Sequence, residues 1–169
     1  GHSESLPYPD ESFDVVFARA VLHHATDLNA LCCEAYRVLR HGGRFIAVRE
    51  HVISRPEDLA AFLAAHPLHR HFGGEHAYVL GSYAEAFTQA GFALERVLTP
   101  LASPINYAPH TLAGLKREVA QAAASGLPAL AATCYAVLCI PGVWRLVRPA
   151  LRRLDSRPGR LYSFVAYKP

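Results

Sequence analysis

The chain has 169 residues, of which 51% are hydrophobic and 18% are charged. This composition excludes a disordered chain, and the length suits one globular domain with a sizeable core. The net charge of +3 is too small to indicate nucleic-acid binding, so no nucleic-acid partner is expected. The four cysteines form neither a C-x-x-C pair nor a disulfide framework, which favours the reducing environment of the cytoplasm.

The first fifty residues predict a strand, a helix and a second strand. Phe13–Ala18 is short, apolar and rich in β-branched and aromatic residues, as in a strand covered on both faces. Asp27 offers an N-cap for a helix whose apolar stripe runs to Leu39, and the glycines at 42–43 are predicted to end it. Residues 44–50 form the next strand. The connection between the strands is long enough only for a right-handed parallel crossover.

The remaining sequence predicts further helices and an antiparallel pair of strands. Capping-box patterns at residues 54–57 and 82–85 predict the starts of two helices. Residues 92–98 and 161–167 are predicted to be strands that pair antiparallel. The intervening segment, 99–160, has a helical pattern.

We therefore predict one domain over residues 1–169. Its core consists of 1–98 and 161–169, and 99–160 forms a helical insertion or cap. Residues 127–144 within this insertion carry no charge. Prolines interrupt this apolar run before it reaches the roughly 20 residues that a bilayer span needs, which favours a buried helix.

Short motifs in a fixed order carry a family resemblance. They are Leu6-Pro7-Tyr8, Asp10-Glu11-Ser12-Phe13-Asp14, Leu22-His23-His24, Arg37-Val38-Leu39-Arg40-His41-Gly42-Gly43 and Ala90-Gly91-Phe92. With this order and spacing, the chain resembles the C-terminal part of class I S-adenosylmethionine-dependent methyltransferases of the methyltransferase type 11-like kind. The sequence contains no glycine-rich cofactor loop, and residues 99–160 match no motif of that family.

The resemblance implies an α/β fold. We expect a partial Rossmann-like methyltransferase sheet, with two parallel strands, a C-terminal antiparallel pair and helical insertions. It also implies S-adenosylmethionine as the cofactor. The implied methyl acceptor is a small molecule, and lipophilic molecules are among the candidates. Because the glycine-rich loop is absent from the sequence, we expect either a homo-oligomer or a missing N-terminal half.

Candidate catalytic residues follow from the expected sheet. Ligands of open α/β sheets bind beyond the carboxyl ends of the strands, which here are Arg19–His24 and Arg49–His51. Methyl transfer to a hydroxyl or an amine needs in-line positioning and a base, a role that histidine suits. His24 is the first candidate, followed by His51 and Glu50. The alternatives are a backbone hydrogen bond at a helix entry for His24 and a solvated strand end for Glu50.

The resemblance also implies contacts with the cofactor. It assigns them to His2, Ser3, Glu4, Arg19 and Ala20. His2 stands where the family has an aspartate near the adenine, so an anionic acceptor for the adenine amino group is lost there.

A group of histidines lies in the middle of the chain. His66, His69, His71 and His76, together with Glu75, could supply metal ligands, but their spacing matches no strong zinc pattern. We therefore predict no metal site. Residues 74–78 are instead expected to cover the pocket as a lid.

Two other functions remain open at this stage. The chain could be a catalytically silent binding or assembly module that keeps part of the methyltransferase fold. It could also contact a membrane surface peripherally through residues 127–153, where an apolar helix precedes an arginine-rich segment.

The strand at 13–18 carries a separate expectation. Without a strand beside it, this strand has an open apolar edge that pairs readily with another chain. We expect either association of chains at this edge or a cover made from residues 1–12.

Overall fold

The computed structural model describes residues 3–72, 74–155 and 157–169. The chain divides into two compact units, Gly1–Thr99 with Arg157–Pro169 and Pro100–Ser156. The predicted insertion overlaps the second unit closely, and whether the chain folds as one domain stays a prediction.

The first unit contains all the strands that the structure describes. Its elements are β1 (Phe13–Arg19), a 3-10 turn (Leu22–His24), α1 (Leu28–Val38), β2 (Leu39–Ile53), α2 (Asp58–Ala65), α3 (Pro67–Phe72), β3 (Tyr78–Val79), α4 (Leu80–Gln89), β4 (Ala93–Leu98) and β5 (Arg160–Tyr167).

The strands form one sheet in the order β1-β2-β5-β4, and β3 also pairs with β2. β1 and β3 run parallel to β2, whereas β5 runs antiparallel to both β2 and β4. This topology confirms the predicted α/β class, the parallel crossover and the C-terminal antiparallel pair. The short β3 was not predicted.

Helix α1 forms as its sequence predicts, but it ends earlier. The Asp27 carboxylate accepts a hydrogen bond from the Ala30 amide at 2.9 Å and caps the first turn. The helix stops at Val38, and β2 begins at Leu39. The prediction that residues 42–43 end the helix is wrong, because those glycines belong to the sheet. The Gly42 amide donates to the Lys168 carbonyl, and the Lys168 amide donates to the Gly43 carbonyl.

Strand β1 is covered on one face only, which corrects the prediction of cover on both. Ala18 is buried, and Phe13 and Val16 pack against the main core of the unit. Val15 and Phe17 point the other way and are 52% and 62% exposed. The apolar run therefore reflects a buried face together with an exposed apolar surface at the edge of the sheet.

Strand β2 is longer than predicted and contains a bulge. It continues to Ile53 because β5 pairs with it as far as Val52 and β3 pairs with its last two residues. Ala47 faces Phe164 and Glu50 faces Tyr162, so the two residues between them oppose Ser163 alone. Arg49, inside the bulge, has a φ of 62°. The extra residue places Ala47 and Glu50 on the same face of the sheet.

Both helices predicted from capping boxes are present, but neither begins with the predicted cap. α2 begins at Asp58, whose carboxylate accepts from the Arg55 amide, while the Ser54 hydroxyl accepts from the Arg160 guanidinium. α4 begins at Leu80, two residues before the predicted cap, because β3 delivers the chain directly into the helix.

The second unit is helical. Its elements are α5 (Pro104–Tyr107), α6 (Leu112–Ala123), α7 (Pro128–Cys139) and α8 (Val143–Leu154). Leu101, Leu115, Ala120, Leu138 and Trp144 form its core. Leu138 is the one buried residue within α7, so the prediction of a buried helix at 127–144 is wrong.

Among the described residues, no single helix is both long and apolar enough to cross a bilayer. The consecutive helices α7 and α8 reach the necessary length and apolar composition only together, across a bend of 114°. Core helices of soluble proteins have the same length and composition.

Candidate functional site

The site is organised by the buried carboxylate of Glu50. This side chain is 0% exposed. It accepts hydrogen bonds from the amides of Val21 and His23, each at 3.1 Å, and from His23 Nδ1 at 2.7 Å. These bonds hold the 3-10 turn after β1 against β2. Glu50 is therefore neither a solvated strand end nor an accessible base, and its place in the structure is that of a positioning residue.

His23, which sequence reasoning did not select, lies at the centre of this network. Its side chain is 1% exposed. Because a carboxylate only accepts hydrogen bonds, Nδ1 carries the proton, and the neutral ring keeps its lone pair on Nε2. The sequence motif Leu22-His23-His24 contains this residue. The motif does not show which histidine faces inward.

His24 is the accessible histidine of the turn. Its side chain is 42% exposed, and Nδ1 lies 3.0 Å from the Gly74 carbonyl, to which it donates. The predicted backbone hydrogen bond is thus present, although its acceptor lies fifty residues away in sequence. In the neutral ring, Nε2 keeps its lone pair, as a proton acceptor requires.

His51 lies inside β2 rather than at its end. Its Nδ1 donates to the Gly159 carbonyl at 2.8 Å, and its ring centroid is 4.7 Å from that of His23. Burial is the main reason that the pKa of His51 is lowered to about 4. The imidazole is accordingly neutral near pH 7 and presents a lone pair on its other nitrogen.

Glu75 completes the group. Its side chain is 8% exposed, and Oε2 lies 3.7 Å from His23 Nε2 and 3.8 Å from His24 Nε2. The sequence placed Glu75 only in a loop with several histidines, and nothing there indicated that it would meet His23.

The other histidines of the predicted cluster do not gather around Glu75 in the same way. The rings of His66 and His51 lie edge to face, with centroids 5.1 Å apart. His69 and His71 lie on α3. Within the described part of the chain, the Nδ1 atoms of His66, His69 and His76 are buried without a hydrogen-bond partner.

Residues 74–78 lie over the turn, as expected of a cover. The Gly74 carbonyl meets His24, and the Tyr78 hydroxyl donates to the Ala25 carbonyl at 2.7 Å. That this segment opens and closes as a lid stays a prediction.

The predicted cofactor contacts fall in two places. Arg19 is exposed at the end of β1, and Ala20 follows it with a φ of 54° and an amide that donates to the Val48 carbonyl. The Glu4 carboxylate accepts from the amides of Thr26 and Asp27, so it stabilises the entry to α1. Ser3, which precedes Glu4 in the sequence, is half-buried. His2 lies outside the described residues.

Two clefts flank this group of side chains. One of about 200 Å³ is lined by His51, Phe62, Ala65, His66, Pro67, Pro158 and Gly159. The other, of about 370 Å³, is lined by Thr26, Asp27, Leu28, Asn29, Tyr78, Ser82 and Glu85. The first cleft combines the imidazoles of His51 and His66 with the apolar side chains of Phe62 and Ala65.

Comparison with known proteins gives family matches over part of the chain. The methyltransferase domain family matches residues 1–47. The uncharacterized methyltransferase YcgJ of Bacillus subtilis is 43% identical over 58 residues, which are 34% of this chain and 22% of that protein. The ubiquinone/menaquinone biosynthesis C-methyltransferase UbiE of a Bradyrhizobium strain is 30% identical over 109 residues, 54% of this chain and 43% of that protein.

Solved structures show the same fold. Geranyl diphosphate methyltransferase in complex with S-adenosylmethionine matches with a TM-score of 0.58 at 13% identity, over 99% of this chain and 55% of that one. The chain thus spans less than half the length of these two sequence relatives and about half the length of the geranyl diphosphate methyltransferase chain. The chain has the fold of the class I S-adenosylmethionine-dependent methyltransferases, and its first 47 residues match the methyltransferase domain family. The predicted resemblance to this family is confirmed.

Proposed function

We propose that the chain acts in S-adenosylmethionine-dependent methyl transfer to a small molecule that has an apolar part. The observation that carries this proposal is the family match over residues 1–47, which ends just before the buried Glu50 and its partner His23. The names of two similar proteins refer to ubiquinone and menaquinone biosynthesis and to geranyl diphosphate. The cleft beside His51, with Phe62 in its wall, agrees with an acceptor of that apolar kind.

In this proposal His24 is the general base. The methyl group passes from the sulfonium sulfur to the acceptor oxygen, nitrogen or carbon, which leaves S-adenosylhomocysteine. His24 Nε2 takes the proton that the acceptor loses, because Nδ1 is already donating to Gly74 and the ring is exposed. Glu50 and His23 hold the turn that carries His24. His2, Ser3, Glu4, Arg19 and Ala20 remain the proposed cofactor contacts.

The test is transfer of a labelled methyl group from S-adenosylmethionine to a panel of lipophilic phenols, quinols and prenyl diphosphates. Loss of a general base lowers a rate by about 10²–10⁴-fold, so we expect His24→Gln to lower kcat by at least about 100-fold. His71→Gln, an exposed histidine on α3, is the matched control and should leave kcat unchanged. Equal activity of His24→Gln and the unsubstituted chain would remove His24 from this role.

Peripheral binding to a membrane is a second candidate for the helical unit. Leu127, Leu130, Val137 and Ile140 are exposed on or beside α7, and α8 carries Arg145, Arg148, Arg152 and Arg153. An apolar surface next to a basic helix is the combination that attracts anionic lipid. Flotation with anionic vesicles, and its loss in the double variant Arg152→Glu and Arg153→Glu, tests this candidate. Vesicles of neutral lipid are the control.

A further inference from the structure

We propose that His23, His51 and Glu75 form a binding site for a divalent transition-metal ion. One ring nitrogen from each histidine and one carboxylate oxygen of Glu75 all lie within 4.8 Å of one another. Two imidazoles with one carboxylate form a ligand set that Zn²⁺ and Fe²⁺ both accept in proteins. The residues come from three separate segments of the first unit, namely the turn after β1, the strand β2 and the loop before β3.

The distances are close to those of a coordinated ion. Ligands of Zn²⁺ lie about 2.0–2.2 Å from the metal, so two ligands of a tetrahedral ion are about 3.3–3.6 Å apart. His23 Nε2 and Glu75 Oε2, at 3.7 Å, are nearly at that separation. The remaining separations, none above 4.8 Å, need closure of at most about 1.5 Å.

Both histidines are oriented in the way that metal-binding histidines usually are. His23 donates Nδ1–H to the Glu50 carboxylate, and His51 donates Nδ1–H to the Gly159 carbonyl. Such bonds fix the tautomer, so that the other nitrogen offers its lone pair to the metal, and a carboxylate acceptor also increases the basicity of the ring. Glu50 therefore supports this site by orienting His23 and is not itself a ligand of the ion.

Glu75 supplies the anionic ligand of the site. Its side chain is 8% exposed, and its Oε2 atom lies 3.7 Å from His23 Nε2 and 3.8 Å from His24 Nε2. These approaches are too long to be hydrogen bonds. A divalent ion between this carboxylate and the imidazole lone pairs would replace them with coordination bonds.

The site differs in kind from the proposed methyl-transfer function and does not depend on it. Three protein ligands leave coordination positions open, so an oxygen ligand from solvent or substrate can join the ion. His24 is next to Glu75 but keeps its exposed side, which is compatible with its separate role as a base.

The test is metal binding by the purified chain after removal of any affinity tag and of adventitious metal. Titration with Co²⁺, followed by its visible absorption, and metal analysis after dialysis against Zn²⁺ should both give about one ion per chain. Intense absorption would indicate a four-coordinate site of the Zn²⁺ type, and weak absorption a six-coordinate site of the Fe²⁺ type. Excess Mg²⁺ should not displace Co²⁺, because imidazoles are poor ligands for Mg²⁺.

The variants Glu75→Gln and His51→Gln should each weaken Co²⁺ binding by at least tenfold, and Glu50→Gln should weaken it by about 10- to 100-fold. Glu57→Gln and His71→Gln are the matched controls, since both residues are exposed and lie outside the group. Circular dichroism of each metal-free variant shows whether it is folded. Absence of binding by the unsubstituted chain, or equal binding by Glu75→Gln, His51→Gln and the controls, would overturn the proposal.

Discussion

At the scale of single residues, two carboxylates organise the polar groups around them. Glu50, which is buried, has three N–H donors and orders the turn of the candidate site. Glu34, which is half-buried, has a comparable role on the outer side of α1, where it accepts from the Leu6 amide and from two nitrogens of Arg37. Each carboxylate ties a turn or loop to a helix or strand.

The carboxylate of Glu34 should make a pH-dependent contribution to the free energy of unfolding. The hydrogen bonds of Arg37, and then that of the Leu6 amide, lower the pKa of Glu34 to about 2. Since the folded pKa lies below the unfolded value of about 4.3, the contribution is complete above roughly pH 5 and disappears as pH falls toward 2. Glu34→Gln should therefore reduce the free energy of unfolding by about 1 kcal/mol at neutral pH.

Urea unfolding of both chains at several pH values measures this difference. It should shrink as the pH falls below about 4. Glu57→Gln, at an exposed position, is the control and should have little effect at any pH. A Glu34→Gln effect of the same size at pH 3 and pH 7 would contradict the assigned pKa.

Some of these residue roles could be predicted from sequence and others could not. The sequence points to His24 because it follows a strand and precedes a helix, and the structure places it in the 3-10 turn between β1 and α1. His23 and Glu75 were missed because their contacts join residues that are 27 to about fifty positions apart. A local sequence pattern does not show which residues from distant parts of the chain come into contact.

At the scale of elements, the bulge in β2 is the feature that builds the site. Simple alternation would put Ala47 and Glu50 on opposite faces of the sheet, since they are three residues apart. The extra residue opposite Ser163 brings them to the same face, and Glu50 is thereby buried beside His23. An unusual backbone at Arg49, with a φ of 62°, is the local cost. Nothing in the sequence of 44–50 marks this position as a bulge.

Replacement of Gly43 and of Gly81 by alanine should change stability in opposite directions. A Cβ atom at Gly43 would lie 2.7 Å from the Arg40 carbonyl oxygen and 3.1 Å from that of Asp14. Gly43→Ala should therefore destabilise the crossover by about 1–3 kcal/mol. A Cβ at Gly81, in the first turn of α4, meets nothing within 4 Å, so Gly81→Ala should stabilise by up to about 1 kcal/mol.

Thermal and urea unfolding of the two variants compare these effects directly. Both substitutions add one methyl group, so the contrast isolates the close approach of backbone at Gly43. Equal behaviour of the two variants would show that the packing between β1 and the start of β2 is not as tight as described.

At the scale of the whole molecule, the open edge of β1 stays the least explained surface. Val15 and Phe17 are exposed there, and β1 has β2 as its one strand neighbour in the described sheet. We predict that chains associate through this edge, because an apolar edge strand pairs readily with another strand. Phe17→Asp should then shift the chain toward monomer in light scattering coupled to gel filtration.

Leu68→Asp is the matched control, since Leu68 is similarly exposed but lies on α3. It should leave the association unchanged. A chain that is monomeric at every concentration tested, with Val15 and Phe17 unaltered, would contradict association at this edge.

The fold could be predicted because its signals are local. The apolar run of β1, the stripe and Asp27 cap of α1, and the alternating strands β4 and β5 each specify an element within a few residues. The wrong predictions concern places where another segment decides the outcome. Residues 42–43 pair with the chain after β5, and α4 starts early because β3 precedes it. The predicted burial of α7 is wrong, because the apolar composition of a helix does not show how much of its surface other segments cover.

The central proposal is that this chain takes part in S-adenosylmethionine-dependent methyl transfer, and cofactor binding tests it without knowledge of the acceptor. Isothermal titration of the purified chain with S-adenosylhomocysteine is the most direct measurement. We expect saturable binding of about one ligand per chain. A titration without heat of binding up to about millimolar ligand would contradict it, and would favour a binding or assembly module that keeps the methyltransferase fold without the activity.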